Sequence, residues 1–202
     1  MIGLYSLPAA LTWLRILLGP VLLILALYSP RPIPFAVCLS LGFLSDVFDG
    51  IVARRLKVAT PGLRRLDSVA DSIFYLCAFG AAIWLHPDVI AANLALVVIL
   101  VALEIARYLV DLRKFGRETS YHMWTSKLWG ISLFVGFFGI LVLERGGVFA
   151  VAPLALGIVA DLEGLLISFT LKSWRHDVPT IFHARRLRRF LEHQNEIVGH
   201  LK

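Results

Sequence analysis

Charge is scarce in this 202-residue chain. Only 17% of its residues are Asp, Glu, Lys or Arg, against 58% apolar, and the mean hydropathy is +0.79. A soluble domain carries about 25% charged and 45–50% apolar residues, so the composition argues against both a water-soluble enzyme and a disordered chain. Cysteine is sparser still. Cys38 and Cys77 sit far apart in apolar runs, without the spacing of a metal site or a disulfide framework. Strand-type alternation is missing, which rules out a membrane β-barrel. There is no internal repeat and no low-complexity tract. The N-terminus lacks a cationic start followed by a small-residue cleavage site, so the first apolar segment reads as retained rather than as a signal peptide. Acidic residues number 14 against 20 basic ones, giving a formal charge of +6. In so apolar a chain that excess reads as membrane topology, and no nucleic-acid partner is expected.

What is present is a series of long apolar runs. A bilayer core takes about 20 apolar residues per helix, and six stretches approach that length: Pro8–Tyr28, Ile33–Val52, Leu66–Leu85, Val89–Leu112, Trp124–Leu143 and Val148–Leu171. Breaks such as Ser29-Pro30-Arg31-Pro32, His86-Pro87-Asp88 and Glu144-Arg145-Gly146-Gly147 separate them. The expected fold is therefore an all-α integral membrane protein with six transmembrane helices. Residues 1–172 form the helical domain, and residues 173–202 form a basic tail with a short amphipathic segment.

Positive charge sets the orientation. Arg54, Arg55, Lys57, Arg64 and Arg65 lie between the second and third stretches. Arg113, Lys114 and Arg117 follow the fourth, and Lys172, Arg175, Arg185, Arg186, Arg188, Arg189 and Lys202 lie in the tail. The opposite loops hold only Arg31 and Arg145. Both termini and the loops after the second and fourth stretches are thus expected on the cytoplasmic side. In the tail, Phe182, Leu187, Phe190, Leu191 and Val198 suit an apolar stripe on a basic helix, either held by anionic lipid or simply solvated. Trp84, Trp124 and Trp174 fit an interfacial aromatic belt. His122 and His183 have no partner at metal spacing.

Carboxylates inside a span cost several kcal/mol and mark function by default. Asp46 and Asp49 are three apart near the end of the second stretch, and Asp67 and Asp71 are four apart at the start of the third. Each pair shares one helical face. A short basic loop joins the two helices, so the four carboxylates are expected to meet at one depth near the cytoplasmic surface. Four clustered carboxylates repel and call for cations or protons. Hard oxygen ligands suit Mg²⁺ or Mn²⁺, and four of them suit two divalent ions about 4 Å apart, as in phosphoryl-transfer sites. Gly50 and Ala53 are small residues beside the acidic face and leave room for a ligand or for close helix contact. Arg54, five residues past Asp49, is placed to pair with a phosphate.

The string Asp46-x2-Asp49-Gly50-x2-Ala53-Arg54, followed by Asp67-x3-Asp71, resembles the signature of the CDP-alcohol phosphatidyltransferase family. That signature reads D-x2-D-G-x2-A-R, eight residues, G-x3-D-x3-D. The glycine here falls at Gly62, and Leu63 takes the usual place. The segment Leu7-Pro8-Ala9-Ala10-Leu11-Thr12-Trp13-Leu14-Arg15 also resembles a family opening, with Ala9 where the family usually has Asn. The resemblance implies a six-helix membrane fold, usually dimeric. It also implies transfer of a phosphatidyl group from a CDP-linked lipid, typically CDP-diacylglycerol, to an acceptor alcohol with release of CMP. By the same resemblance Asp46, Asp49, Asp67 and Asp71 hold two Mg²⁺ or Mn²⁺ ions. Asp71 is also the catalytic base, and Asp49, Gly50, Ala53, Arg54 and Gly62 line the nucleotide.

The acceptor is less determined. Arg107 and Lys127 lie toward the cytoplasmic side of the fourth and fifth stretches and suit a phosphorylated acceptor. An alternative pairs Arg107 with Glu104 and leaves Lys127 snorkelling to the interface. Asp161 and Glu163, in the middle of the sixth stretch, either pair with these cations or receive a polyol or a cationic acceptor. Two other functions fit the same cluster: a cation transporter using the aspartates as an ion site, and a family member without activity. A transporter favours carboxylates at the bilayer midplane and discontinuous helices. Here the carboxylates lie at one edge, which favours the enzyme.

Overall fold

The computed structural model describes residues 2–56, 60–117, 121, 123–171, 173–174 and 178–200. The side chains of residues 2–6, 54, 61, 64 and 191–200 fall outside that description. Lys57, His122, Lys172, Arg175 and Lys202 and the side chains of Arg54, Arg64, Leu191 and Val198 therefore lie outside the described residues.

Eight helices make up the described structure: α1 (Ile2–Tyr28), α2 (Pro32–Arg55), α3 (Pro61–Leu85), α4 (Pro87–Ala92), α5 (Leu94–Phe115), α6 (Trp124–Leu141), α7 (Val148–Thr170) and α8 (Ile181–His200). No strand occurs among the described residues. Five helices are long and apolar enough to cross a membrane, over Leu7–Tyr28, Pro32–Ala53, Arg65–Leu85, Trp124–Leu141 and Val148–Thr170. The sequence reading of Val89–Leu112 as one span differs from the structure. The helix breaks at Asn93, a residue whose side chain competes for backbone hydrogen bonds, leaving the six-residue α4 and the longer α5. Any 18-residue stretch of α5 holds Glu104, Arg107 and Asp111, at least three charges where the apolar windows of the five carry at most two.

The chain divides into two compact units. The first comprises residues 1–92 and 133–150, the second residues 93–132 and 151–202, and the division passes through α6 and α7. In the first unit α1 packs along both α2 and α3, which touch each other only briefly. The packing core holds Leu18, Leu22, Phe35, Leu39, Phe74, Ala78 and Ala82 with Phe137, Ile140 and Leu141. Helix α1 approaches α3 closely at Gly19, where a Cβ would lie 3.3 Å from the Phe74 Cα and 3.3 Å from the Cys77 Sγ. At Gly42 on α2 a Cβ would fall on the Phe74 ring. Small residues at helix contacts admit close backbone approach where lipid supplies no hydrophobic drive between helices.

In the second unit α5 is tied to α7 by polar contacts. Arg107 Nε donates to Asp161 Oδ1 at 3.1 Å, Ser168 Oγ donates to Asp111 Oδ1 at 2.6 Å, and Lys114 Nζ donates to the Ser168 carbonyl at 2.8 Å. Tyr121, Met123, Ile167, Leu171, Val178 and Ala184 form the apolar cluster of this unit. Helix α8 begins against it. Thr180 Oγ1 accepts from the His183 N–H at 3.3 Å, and Glu163 Oε1 accepts from the Ile181 N–H at 3.2 Å. Both oxygens satisfy amides that the first turn of a helix leaves unpaired.

Candidate active site

The four aspartates do converge, but not by α2 facing α3 directly. Helix α1 lies between them and places one arginine at their centre. Arg15 is the only charged residue in α1, its side chain is 1% exposed, and it touches all four carboxylates. Its Nη1 donates to Asp46 Oδ1 at 3.0 Å and to Asp71 Oδ1. Its Nη2 donates to Asp67 Oδ1 at 3.0 Å and to Asp49 Oδ2. The planar fork of a guanidinium presents several fixed donors at once, which lets one side chain bridge residues from two other helices. Arg15 Nε is buried without a hydrogen-bond partner.

Each carboxylate is positioned by its helix. Asp46 and Asp49 sit one turn apart on α2, just before its cytoplasm-side basic end in the sequence reading, and Asp67 and Asp71 sit one turn apart near the start of α3. The start of α3 is fixed by Pro61 in the first turn and by Thr60, whose Oγ1 accepts from the Leu63 N–H at 3.2 Å. Asp49 is the buried member, at 6% side-chain exposure, and Asp46, Asp67 and Asp71 are 36–41% exposed. Thr12 on α1 is buried beside them, its hydroxyl 3.0 Å from the Pro8 carbonyl and 3.3 Å from Asp49 Oδ2. Asp71 meets Arg15 through Oδ1, and its side chain is 37% exposed, so this carboxyl is reachable from outside the cluster.

Three of the carboxylates fit a divalent ion. Asp46, Asp49 and Asp67 each offer an oxygen, and these oxygens lie within 4.8 Å of one another. The donor set is all hard oxygen, the chemistry of Mg²⁺ or Mn²⁺ rather than of zinc or copper. Asp71 joins this group through Arg15.

The other sequence candidates are placed as follows. Gly50 is half-buried on α2, Ala53 is buried at 8%, and the Arg54 side chain lies outside the described residues. Gly62 is exposed in the first turn of α3, and a Cβ there would meet nothing within 4 Å. Arg107 belongs to the second unit and pairs with Asp161, not with Glu104. It also lines a cavity of about 310 Å³ with Val101, Glu104, Ile105, Tyr108 and Asp111. Lys127 Nζ lies 4.4 Å from the centre of the Trp124 ring, a cation–π contact. Glu163 accepts from Thr125 Oγ1 at 2.7 Å as well as from the Ile181 amide, so both carboxylates of α7 are engaged by the protein. Trp84 and Trp124 are 64% and 62% exposed, as an interfacial position requires.

Sequence reasoning gave Arg15 too little weight. The signal that finds it is its isolation: a single charge within a 27-residue apolar helix has to be answered by neighbouring helices.

No curated protein and no solved structure matches the chain. The family model for CDP-alcohol phosphatidyltransferase matches residues 5–167, a range that contains Arg15, all four aspartates and most of the eight helices, and the protein belongs to that family.

Proposed function

We propose that the protein transfers a phosphatidyl group from CDP-diacylglycerol, or a closely similar CDP-linked lipid, to the hydroxyl of a polar acceptor and releases CMP. Membership of the family carries the coarser statement, a transferase acting on a CDP-alcohol at a membrane. The observation that supports the site assignment is the convergence of Asp46, Asp49, Asp67 and Asp71 from two helices around one cluster.

In this reading Asp46, Asp49, Asp67 and Asp71 hold a pair of Mg²⁺ or Mn²⁺ ions. Bound there, such ions neutralise the donor diphosphate and the phosphate of the departing CMP. Asp71 takes the proton of the acceptor hydroxyl. The acceptor oxygen forms a new bond to the phosphorus that carries the lipid, and the bond from that phosphorus to the CMP phosphate breaks. Gly50, Ala53, Arg54 and Gly62 line the nucleotide. Arg15 holds the carboxylates in a fixed constellation, so their mutual repulsion does not splay the helices. Arg107 and Lys127 position the acceptor, with Arg107 oriented by Asp161 and lining the cavity on α5.

Helix α5 is the sixth span in this reading. Three of its charges are answered within the second unit, Arg107 by Asp161, Asp111 by Ser168 and Lys114 by two carbonyls of α7, as intramembrane charge requires. The termini and the aspartate cluster face the cytoplasm by the distribution of basic residues, and the working form is a homodimer.

The test is CMP release from CDP-diacylglycerol by purified protein with Mg²⁺ or Mn²⁺. The acceptors offered are glycerol 3-phosphate, inositol phosphate, inositol, serine and phosphatidylglycerol. Release that requires one acceptor and disappears in Asp67→Asn is the expected result. Release that persists in Asp67→Asn removes the cluster from the mechanism.

A further inference from the structure

Helix α8 has two faces of different character. Ile181, Ala184 and Leu187 follow one another at helical spacing and pack on the apolar cluster of the second unit, Ala184 at 0% exposure. The opposite face carries Phe182 and Phe190, 75% and 59% exposed, with Arg185, Arg186 and Arg189 exposed between them. Among the described residues, neither phenylalanine belongs to the apolar cluster that α8 packs on. Arg185, Arg188 and Arg189 also line, with Thr170, a cavity of about 280 Å³. Thr170 is the last residue of the Val148–Thr170 span. The cavity therefore opens where a membrane-crossing helix meets the polar boundary, and the Glu163 contact ties the start of α8 to the same helix.

We infer that this cavity binds the phosphate of an anionic phospholipid, with Phe182 and Phe190 seated among the adjacent acyl chains and α8 lying along the lipid surface. Arg185 and Arg189, both exposed at one small cavity, match a phosphate in charge. Two exposed phenylalanines flanking a basic face match the border between headgroups and hydrocarbon. Charge complementarity selects the occupant: an anionic lipid meets both features, whereas a zwitterionic lipid supplies a compensating cation and free phosphate has no use for the phenylalanines. The inference concerns a lipid held as a neighbour rather than as donor or acceptor, and it stands independently of the transfer reaction.

The test uses full-length protein in neutral detergent. Retention of phosphatidylglycerol, phosphatidylcholine and inorganic phosphate is measured by native mass spectrometry and by thermal protection. Phosphatidylglycerol is expected to be retained over phosphatidylcholine. Each basic residue near an anionic surface contributes about 1 kcal/mol, so R185Q/R189Q is expected to lose roughly 10- to 30-fold in phosphatidylglycerol affinity. The charge-conserving R185K/R189K should keep most of it, and F182S/F190S should weaken lipid binding without restoring phosphatidylcholine. Asp67→Asn should bind as the wild type does, which separates this site from the aspartate cluster. Equal retention of the two lipids, or unchanged binding in R185Q/R189Q, overturns the inference. Protection by inorganic phosphate equal to that by phosphatidylglycerol also overturns it, because the site is then one for free phosphate.

Discussion

Replacing Arg15 by methionine tests the arrangement of the first unit most directly. Methionine keeps much of the length and apolar stem and removes the charge. In the native structure Arg15 donates to four carboxylates, one of them buried at 6% exposure and three at 36–41%. Removing one partner of a buried ion pair costs about 3–5 kcal/mol. Three of the four partners are open to solvent screening, which places the expected loss near the lower end, about 3 kcal/mol, or more than 100-fold in the unfolding equilibrium. The unpaired Arg15 Nε disappears with the side chain and offsets a little of that loss. A divalent ion that binds only the folded state at 100 times its dissociation constant returns about 2.7 kcal/mol. Arg15→Met in EDTA should therefore unfold well below the wild type and regain most of the difference when Mn²⁺ is added. The Mn²⁺ affinity should rise, because a competing cation has left. Arg15→Lys should fall between, since one ammonium does not span two helices as a fork does. The assay is thermal or denaturant unfolding of purified protein, in EDTA and across a Mn²⁺ titration. Equal stability of Arg15→Met and wild type in EDTA refutes the assignment of Arg15 as the counter-ion that holds the cluster.

Two further substitutions probe the fold and the nucleotide reading. Gly42→Ala drives a methyl group onto the Phe74 ring and should destabilise the first unit by about 1–3 kcal/mol, read as a lowered melting temperature with metal affinity little changed. Gly62→Ala meets open space and should leave melting unchanged while raising the KM for the CDP-linked donor. An unchanged KM removes Gly62 from the nucleotide site.

The parts of the site legible in the sequence were those fixed by helical phase. Asp46 with Asp49, and Asp67 with Asp71, share faces by spacing alone, and the short connection between α2 and α3 keeps the pairs at similar depth. What spacing does not give is which helix lies between. Helix α1 takes that place because Gly19 allows its backbone to approach α3, a contact between residues more than 50 positions apart. The same limit applies to Asp161 and Glu163. Two positions apart, they point about 200° from each other around α7, so they were bound to find different partners. Phase alone does not say that these are Arg107 for one and Thr125 with the Ile181 amide for the other. The break at Asn93 was visible as a polar residue in an apolar run. The run still read as one span because its total length suited a bilayer.

The balance of charge in the two units separates structural polar contacts from a site. In the second unit Arg107 pairs with Asp161, Lys114 with two carbonyls, Asp111 with a serine hydroxyl, and Glu163 with a threonine hydroxyl and a backbone amide, although Asp161 Oδ2 is buried without a partner among the described residues. Such contacts let a helix carry polar groups at modest cost. In the first unit four carboxylates converge on a single guanidinium, an excess of three negative charges if all are ionised. A cluster serving only to join helices has no reason to carry that excess, because each additional carboxylate adds repulsion and desolvation cost. The three oxygens within 4.8 Å and the exposure of Asp46, Asp67 and Asp71 leave the excess accessible from outside. In the function proposed above, cations bound at this accessible negative surplus offset it and meet the diphosphate of a CDP-alcohol.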